Sequence, residues 1–269
     1  MKPTLLVATD FSQNSIPILQ KAIELASTMD GIVHVVHVVE SSFFTLKNKE
    51  YIHLQCLEKI TKEIPSFVKE HFHCVEGELK SSIAEVAKAI NATLLIIENN
   101  QNKYLAEKIF IGSDVQSIIK QAGIPVLVFK HTHTLEYKSI LIPTDLSDTS
   151  AQFIKHIVAL FPKARLTLLH LWNLPVEFRL SLYGLEKEDI EEFKQRCFQD
   201  TNRAIESFVE KNALPKERIH TLLLETLAFE TLKEINPEMV AMHTSGAISL
   251  FAFNLLKESF TDVLIHKVD

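Results

Sequence analysis

Asp10 and Asp145 stand 135 positions apart in the same local setting. Leu5-Leu6-Val7-Ala8-Thr9-Asp10-Phe11-Ser12 is matched by Ile140-Leu141-Ile142-Pro143-Thr144-Asp145-Leu146-Ser147. Each apolar run ends in Thr-Asp-apolar-Ser. A parallel strand with both faces covered reads as such a run. An aspartate at its carboxyl end sits where open α/β sheets bind ligands. The carboxylate could contact a base, a ribose or metal-bound water. It could equally cap the helix that follows and order the turn.

Other chemistry-bearing residues form weaker patterns. His71-x-His73 puts two imidazoles on one face of a strand, because side chains alternate. A zinc site needs four nitrogen or sulfur ligands, or three and water. No second cluster has that spacing, so edge-strand histidines are expected and no metal is assigned. His34 and His37 fall on opposite faces of one strand. Cys56, Cys74 and Cys197 lie in no nucleophile motif and form no disulfide framework. Free thiols in a reducing cytoplasm are the expectation. The chain contains no Walker loop, Gly-x-Ser-x-Gly elbow or Cys-His motif. No catalytic residue is therefore assigned, and a non-enzyme is expected.

The elements that must position these residues repeat with the motif. In the first half, strands are predicted at Thr4–Thr9, Ile32–Val39, His73–Glu76, Thr93–Ile97 and Pro125–Phe129. Helices are predicted at Ser15–Met29, Lys49–Glu70, around Ile83–Ile90, and at Gly112–Gln121. His131–Tyr137 reads as a linker. In the second half, Ser139–Pro143, Leu166–Trp172, Ile219–Leu224 and Met239–Met242 read as strands. Helices are predicted over Ile154–Phe161, Glu186–Lys211, Ala228–Ile235 and Leu255–His266. Alternating strands and helices imply a mostly parallel sheet. The expected fold is α/β, with two tandem doubly wound domains over 1–133 and 138–269. The second is expected to lack its last strand.

Composition narrows the function. The 269 residues suit two domains, and 46% hydrophobic with 23% charged residues is ordinary for a globular protein. A formal charge of −6 argues against a general nucleic-acid partner. No apolar run approaches the ~18 residues of a membrane span, so no membrane partner is expected. Met1-Lys2-Pro3 leads straight into a strand-like run, and no signal peptide is expected. Six glycines are about 2% of the chain against a usual ~7%. Phosphate-cradling loops need glycine for close backbone approach, so this chain has little material for them.

The chain resembles the universal stress protein family in its tandem two-domain form. The resemblance rests on the two Thr-Asp-apolar-Ser motifs, on His37 and His170, and on Leu94–Lys130. In that segment Ile109-Phe110-Ile111-Gly112-Ser113 leads through a helix into Gly123-Ile124-Pro125-Val126-Leu127-Val128-Phe129. It implies a Rossmann-like fold of the adenine nucleotide alpha hydrolase type. ATP-binding members carry Gly-x-x-Gly after the fourth strand and Gly-Ser or Gly-Thr nine residues later. Gly112-Ser113 matches the second element, with Ser113 a phosphate contact or a helix N-cap. The glycine pair falls on Asn99 and Asn102, beside Glu98. In the second half the pair falls on His243 and Gly246, with no Gly-Ser at the matching place.

The resemblance therefore implies candidate nucleotide residues Asp10, Asn99, Asn102, Gly112 and Ser113 in the first domain. In the second it implies a degenerate site at Asp145, His243 and Gly246. Each lost backbone contact to phosphate is worth roughly 1.5–3 kcal/mol. We accordingly expect a cytoplasmic stress-response protein without a cofactor that acts by protein association. The alternatives are an ATP-binding regulator with nucleotide in the first domain, and a slow ATPase. Val126–Phe129 is expected either to pack on the second domain without a strand partner or to pair with its copy in a homodimer. A terminal helix covering the second domain's edge would instead leave a monomer.

Overall fold

The computed structural model of the chain describes residues 2–12, 15–39, 48–98, 118, 121–130, 136–172, 186–225, 229–244 and 261–268. The chain divides into two compact units. One is Met1–Tyr137 with Met242–Asp269, and the other is Lys138–Ala241.

In the first unit the sheet order is β3-β2-β1-β4-β5-β10. The strands are β1 (Thr4–Ala8), β2 (Ile32–Val39), β3 (Phe72–Glu76), β4 (Leu94–Glu98), β5 (Val126–Phe129) and β10 (Asp262–Lys267). Strands β1 to β5 pair parallel, as the strand–helix alternation implies. β1 lies inside the sheet and is buried along its whole length. Helix α1 (Ser15–Thr28) buries Ile18, Leu19, Ala22, Leu25 and Ala26, a 3.6-residue stripe. Helix α2 (Lys49–Glu63) starts on Asn48, whose side chain accepts from Tyr51 N at 2.8 Å. It stops before Pro65, which disfavours helical backbone at the residue ahead of it. This ends the helix seven residues short of the expected Glu70, and a 3₁₀ turn follows at Lys69–His71. Helix α3 (Leu79–Ala89) buries Ile83 and Ala87. Ile118, Gln121 and Ala122 are helical, while the remainder of the helix expected at Gly112–Gln121 lies outside the described residues.

The second unit has sheet order β9-β6-β7-β8, all parallel, from β6 (Ser139–Pro143), β7 (Arg165–Leu171), β8 (Ile219–Leu224) and the first three residues of β9 (Met239–Thr244). Its helices are α4 (Asp148–Leu160), α5 (Lys187–Lys211) and α6 (Phe229–Ile235). A reciprocal capping box between Glu186 and Asp189 starts α5.

Three expectations are corrected. The chain does have a last strand, β10, where the sequence pattern suggested a helix over Leu255–His266. Val263, Leu264 and Ile265 are fully buried, a continuous run that suits a strand covered on both faces. Their burial contributes roughly 5–9 kcal/mol as an upper estimate. β5 is not left without a strand partner, nor free to pair with a second copy. It pairs antiparallel with β10, Val128 opposite Val263 and Val126 opposite Ile265. Tyr137 is not a solvated linker residue. It is 3% exposed and its hydroxyl donates to Asp262 at 2.6 Å. Residues 131–135 of the expected linker lie outside the described residues.

Candidate functional site

The Thr-Asp-apolar-Ser motif builds the same turn twice. Thr9 N donates to the Val36 carbonyl at 3.0 Å, and Thr144 N to the Leu169 carbonyl at 2.8 Å. The threonine hydroxyl accepts from the amide two residues on, Phe11 N or Leu146 N, at 3.1 Å in both turns. The aspartate Oδ1 accepts from the serine amide two residues on. The distances are 2.8 Å for Asp10 with Ser12 and 3.0 Å for Asp145 with Ser147. The same oxygen accepts from a second serine hydroxyl, Ser15 in the first turn and Ser150 in the second. Ser147 then caps α4 by accepting from Ser150 N at 3.1 Å. The carboxylates thus order the entry to a helix, as the capping alternative requires.

This ordering holds strained backbone in place. Phe11 has φ 58° and Leu146 φ 61°, in the left-handed region that costs a residue with a Cβ roughly 1–2 kcal/mol. A histidine braces each turn. His37 Nδ1 donates to the Thr9 carbonyl at 2.9 Å, and His170 Nδ1 to the Thr144 carbonyl at 2.8 Å. These bonds fix the Nδ1–H tautomer. Burial pulls the His37 pKa below its ordinary value, against the opposing pull of the Thr9 carbonyl and Asp10. Phe11 meets the edge of the His37 ring at 5.1 Å, and Lys59 Nζ donates to the Phe11 carbonyl at 3.0 Å.

Glu98 ends β4 beside the first turn. The residue is 7% exposed, and its Oε2 accepts from Ser12 Oγ at 3.4 Å. A carboxyl group therefore occupies the carboxyl end of the sheet next to Asp10. When ionised it repels a phosphate brought to that place, and a low-dielectric setting strengthens the repulsion.

The structure brings Asp10 together with Ser12, Ser15 and, through Ser12, Glu98. It brings Asp145 together with Ser147 and Ser150. His243 lies in β9, half-buried. Asn99, Asn102, Gly112, Ser113 and Gly246 lie outside the described residues. Ser15 and Ser150 were not singled out from sequence, although Asp-x-Ser-x-x-Ser recurs in both halves. The cysteines are free, with Cys74 buried. Burial pushes the Cys56 thiol up to about 12, so little thiolate is present near neutrality.

Residues 1–130 match the model of the Universal stress protein family. Residues 1–130 belong to this family. A universal stress protein of Methanocaldococcus jannaschii is 29% identical over 140 residues, covering 47% of this chain and 81% of that protein. A universal stress protein from Archaeoglobus fulgidus DSM 4304 shares the fold over 99% of both chains, with a TM-score of 0.65 and 16% identity. Family membership supports a role in stress response. Among the described residues of this family member, no helix is long and apolar enough to cross a membrane. No group of three His, Cys, Asp or Glu among them is arranged to hold a metal ion.

Proposed function

We propose that this universal stress family protein acts in the cytoplasmic stress response without catalysing a reaction. It associates with protein partners, and its two nucleotide sites no longer take ATP. The observation that carries the reading is the Glu98 carboxyl group, buried beside the Asp10 turn where a phosphate chain would need positive or amide partners. Asparagine at positions 99 and 102 supports it from sequence, because the family motif calls for glycine there and asparagine adds a Cβ and a side chain. The engagement of Asp10 and Asp145 by their own turns supports it again.

Titrating magnesium–ATP into the full chain by calorimetry tests the reading. The expected result is no saturable heat up to about 1 mM, an affinity weaker than roughly −4 kcal/mol. A micromolar isotherm would overturn it. A Glu98→Gln variant keeps the side-chain shape and removes the charge, so any nucleotide heat should appear first there. Phosphate release above the protein-free rate in the same samples would overturn the non-enzymatic part.

A further inference from the structure

Three histidines from two strands and a turn converge on one face of the first unit. His34 is the third residue of β2, His73 the second of β3, and His71 closes the 3₁₀ turn that enters β3. Val36 lies opposite His73, and side chains alternate, so His34 and His73 share a face. Phe72 points the other way and meets His53 of α2, with ring centroids 5.0 Å apart. The face bearing the histidines is thus the one away from α2.

The contacts are specific. His34 Nδ1 and His73 Nε2 are 2.9 Å apart, and their rings lie within 16° of coplanar. His71 stacks on His34 with centroids 4.1 Å apart and planes 25° apart. Near-parallel rings aim their nitrogen lone pairs along parallel planes, which does not suit a common metal. The pair does suit protons. A bond between two imidazole nitrogens needs one donor and one acceptor. The pair can take one extra proton and keep the bond. A second proton makes both facing nitrogens donors and breaks it, and a protonated His71 sets like charge against the His34 ring.

We propose that His34, His71 and His73 form an acid-responsive clasp that holds strand β3 at neutral pH and releases it on acidification. β3 is the outermost strand of this sheet, paired only to β2 among the described residues, so the clasp acts on a strand held along one edge. Release bares the β2 edge, a surface for strand pairing with another chain. This extends the stress-response reading and does not depend on its nucleotide or enzyme parts.

Helix α3, packed on β2 and β3, carries Lys80, Glu85 and Lys88, and the turn before β3 carries Lys69 and Glu70. The charges that act most on the cluster are its own imidazoles. Burial, then His71 and His73, bring the His34 pKa down to about 4. Burial and then His71 lower that of His73. The folded His34–His73 pair is therefore neutral where free histidine begins to charge. Its hold is full above about pH 6.5 and is lost as pH falls toward about 4.

Amide exchange of the full chain, corrected for intrinsic rates, tests the clasp. Protection of Phe72–Glu76 relative to Leu5–Ala8 should fall about tenfold between about pH 7 and about pH 4.5. In a His34→Gln/His73→Gln variant the ratio should stay within about twofold. A constant ratio in the natural chain, or the same fall in the variant, would overturn the proposal. If the double variant does not fold, His71→Gln decides. The His34 midpoint read by proton NMR should rise in it, and an unchanged midpoint would overturn the proposal.

Discussion

Replacing Asp262 by asparagine should unfasten the last strand. Lys21 of α1 and Asp262 of β10 form an ion pair with both side chains 1% exposed. Asp262 also accepts from the Tyr137 hydroxyl at 2.6 Å and from Lys130 N at 2.7 Å. The Lys21 ammonium lies 4.0 Å over the Phe129 ring of β5. Burial pulls its pKa below the ordinary value even with Asp262 beside it. Asparagine keeps the shape and the acceptor oxygen but removes the counter-charge. The ammonium can then release its proton, which at pH 7 costs about 4.8 kcal/mol from an ordinary value of 10.5, at 1.36 kcal/mol per unit. That ceiling agrees with the roughly 3–5 kcal/mol lost when a buried pair is broken from one side. The first unit should therefore melt roughly 6–20 °C lower in a thermal scan. The unfolded variant binds the extra proton below about pH 10.5, so its deficit should shrink by about 1.4 kcal/mol per unit as pH rises above 7. Adding Lys21→Met should recover most of the loss, since well-packed apolar replacements of buried pairs are often neutral or better. A single variant within about 1 kcal/mol of the natural chain, or a deficit that ignores pH, would refute the reasoning.

Two further substitutions test the turns. Asp145→Ala removes the acceptor for Ser147 N and Ser150 Oγ and should cost about 1–2 kcal/mol in urea unfolding, while Asp145→Asn should cost only a few tenths. Gly31→Ala places a Cβ 2.8 Å from the Pro3 carbonyl oxygen, a backbone atom that yields little, so a loss of roughly 1–3 kcal/mol is expected; an unchanged melting temperature would show that the β1–β2 start adjusts freely.

The candidate site was legible where its residues are close in sequence. Thr-Asp-apolar-Ser at 10 and 145 announced two equivalent turns, and the apolar runs before them announced buried parallel strands. Whether the carboxylates face a ligand or their own turn was not legible. That depends on the left-handed backbone at Phe11 and Leu146, which an apolar residue does not signal. Glu98 adjoins Asn99 in sequence, but its place beside Ser12 follows from β1 pairing with β4 across 86 positions.

Local pattern determined the alternation of strands and helices and the duplication, because side-chain periodicity records which faces are buried. It misjudged Asp262–Lys267, where a short apolar run between charged residues satisfies either period. There the decision came from β5, whose free edge supplied hydrogen bonds and whose neighbour α1 supplied a buried lysine that only an acid could satisfy. The histidine cluster belongs to the same class, since His34 reaches His73 through the β2–β3 register. Such pairings join residues 241 and 39 positions apart, and chain closure over those distances leaves no local period to read.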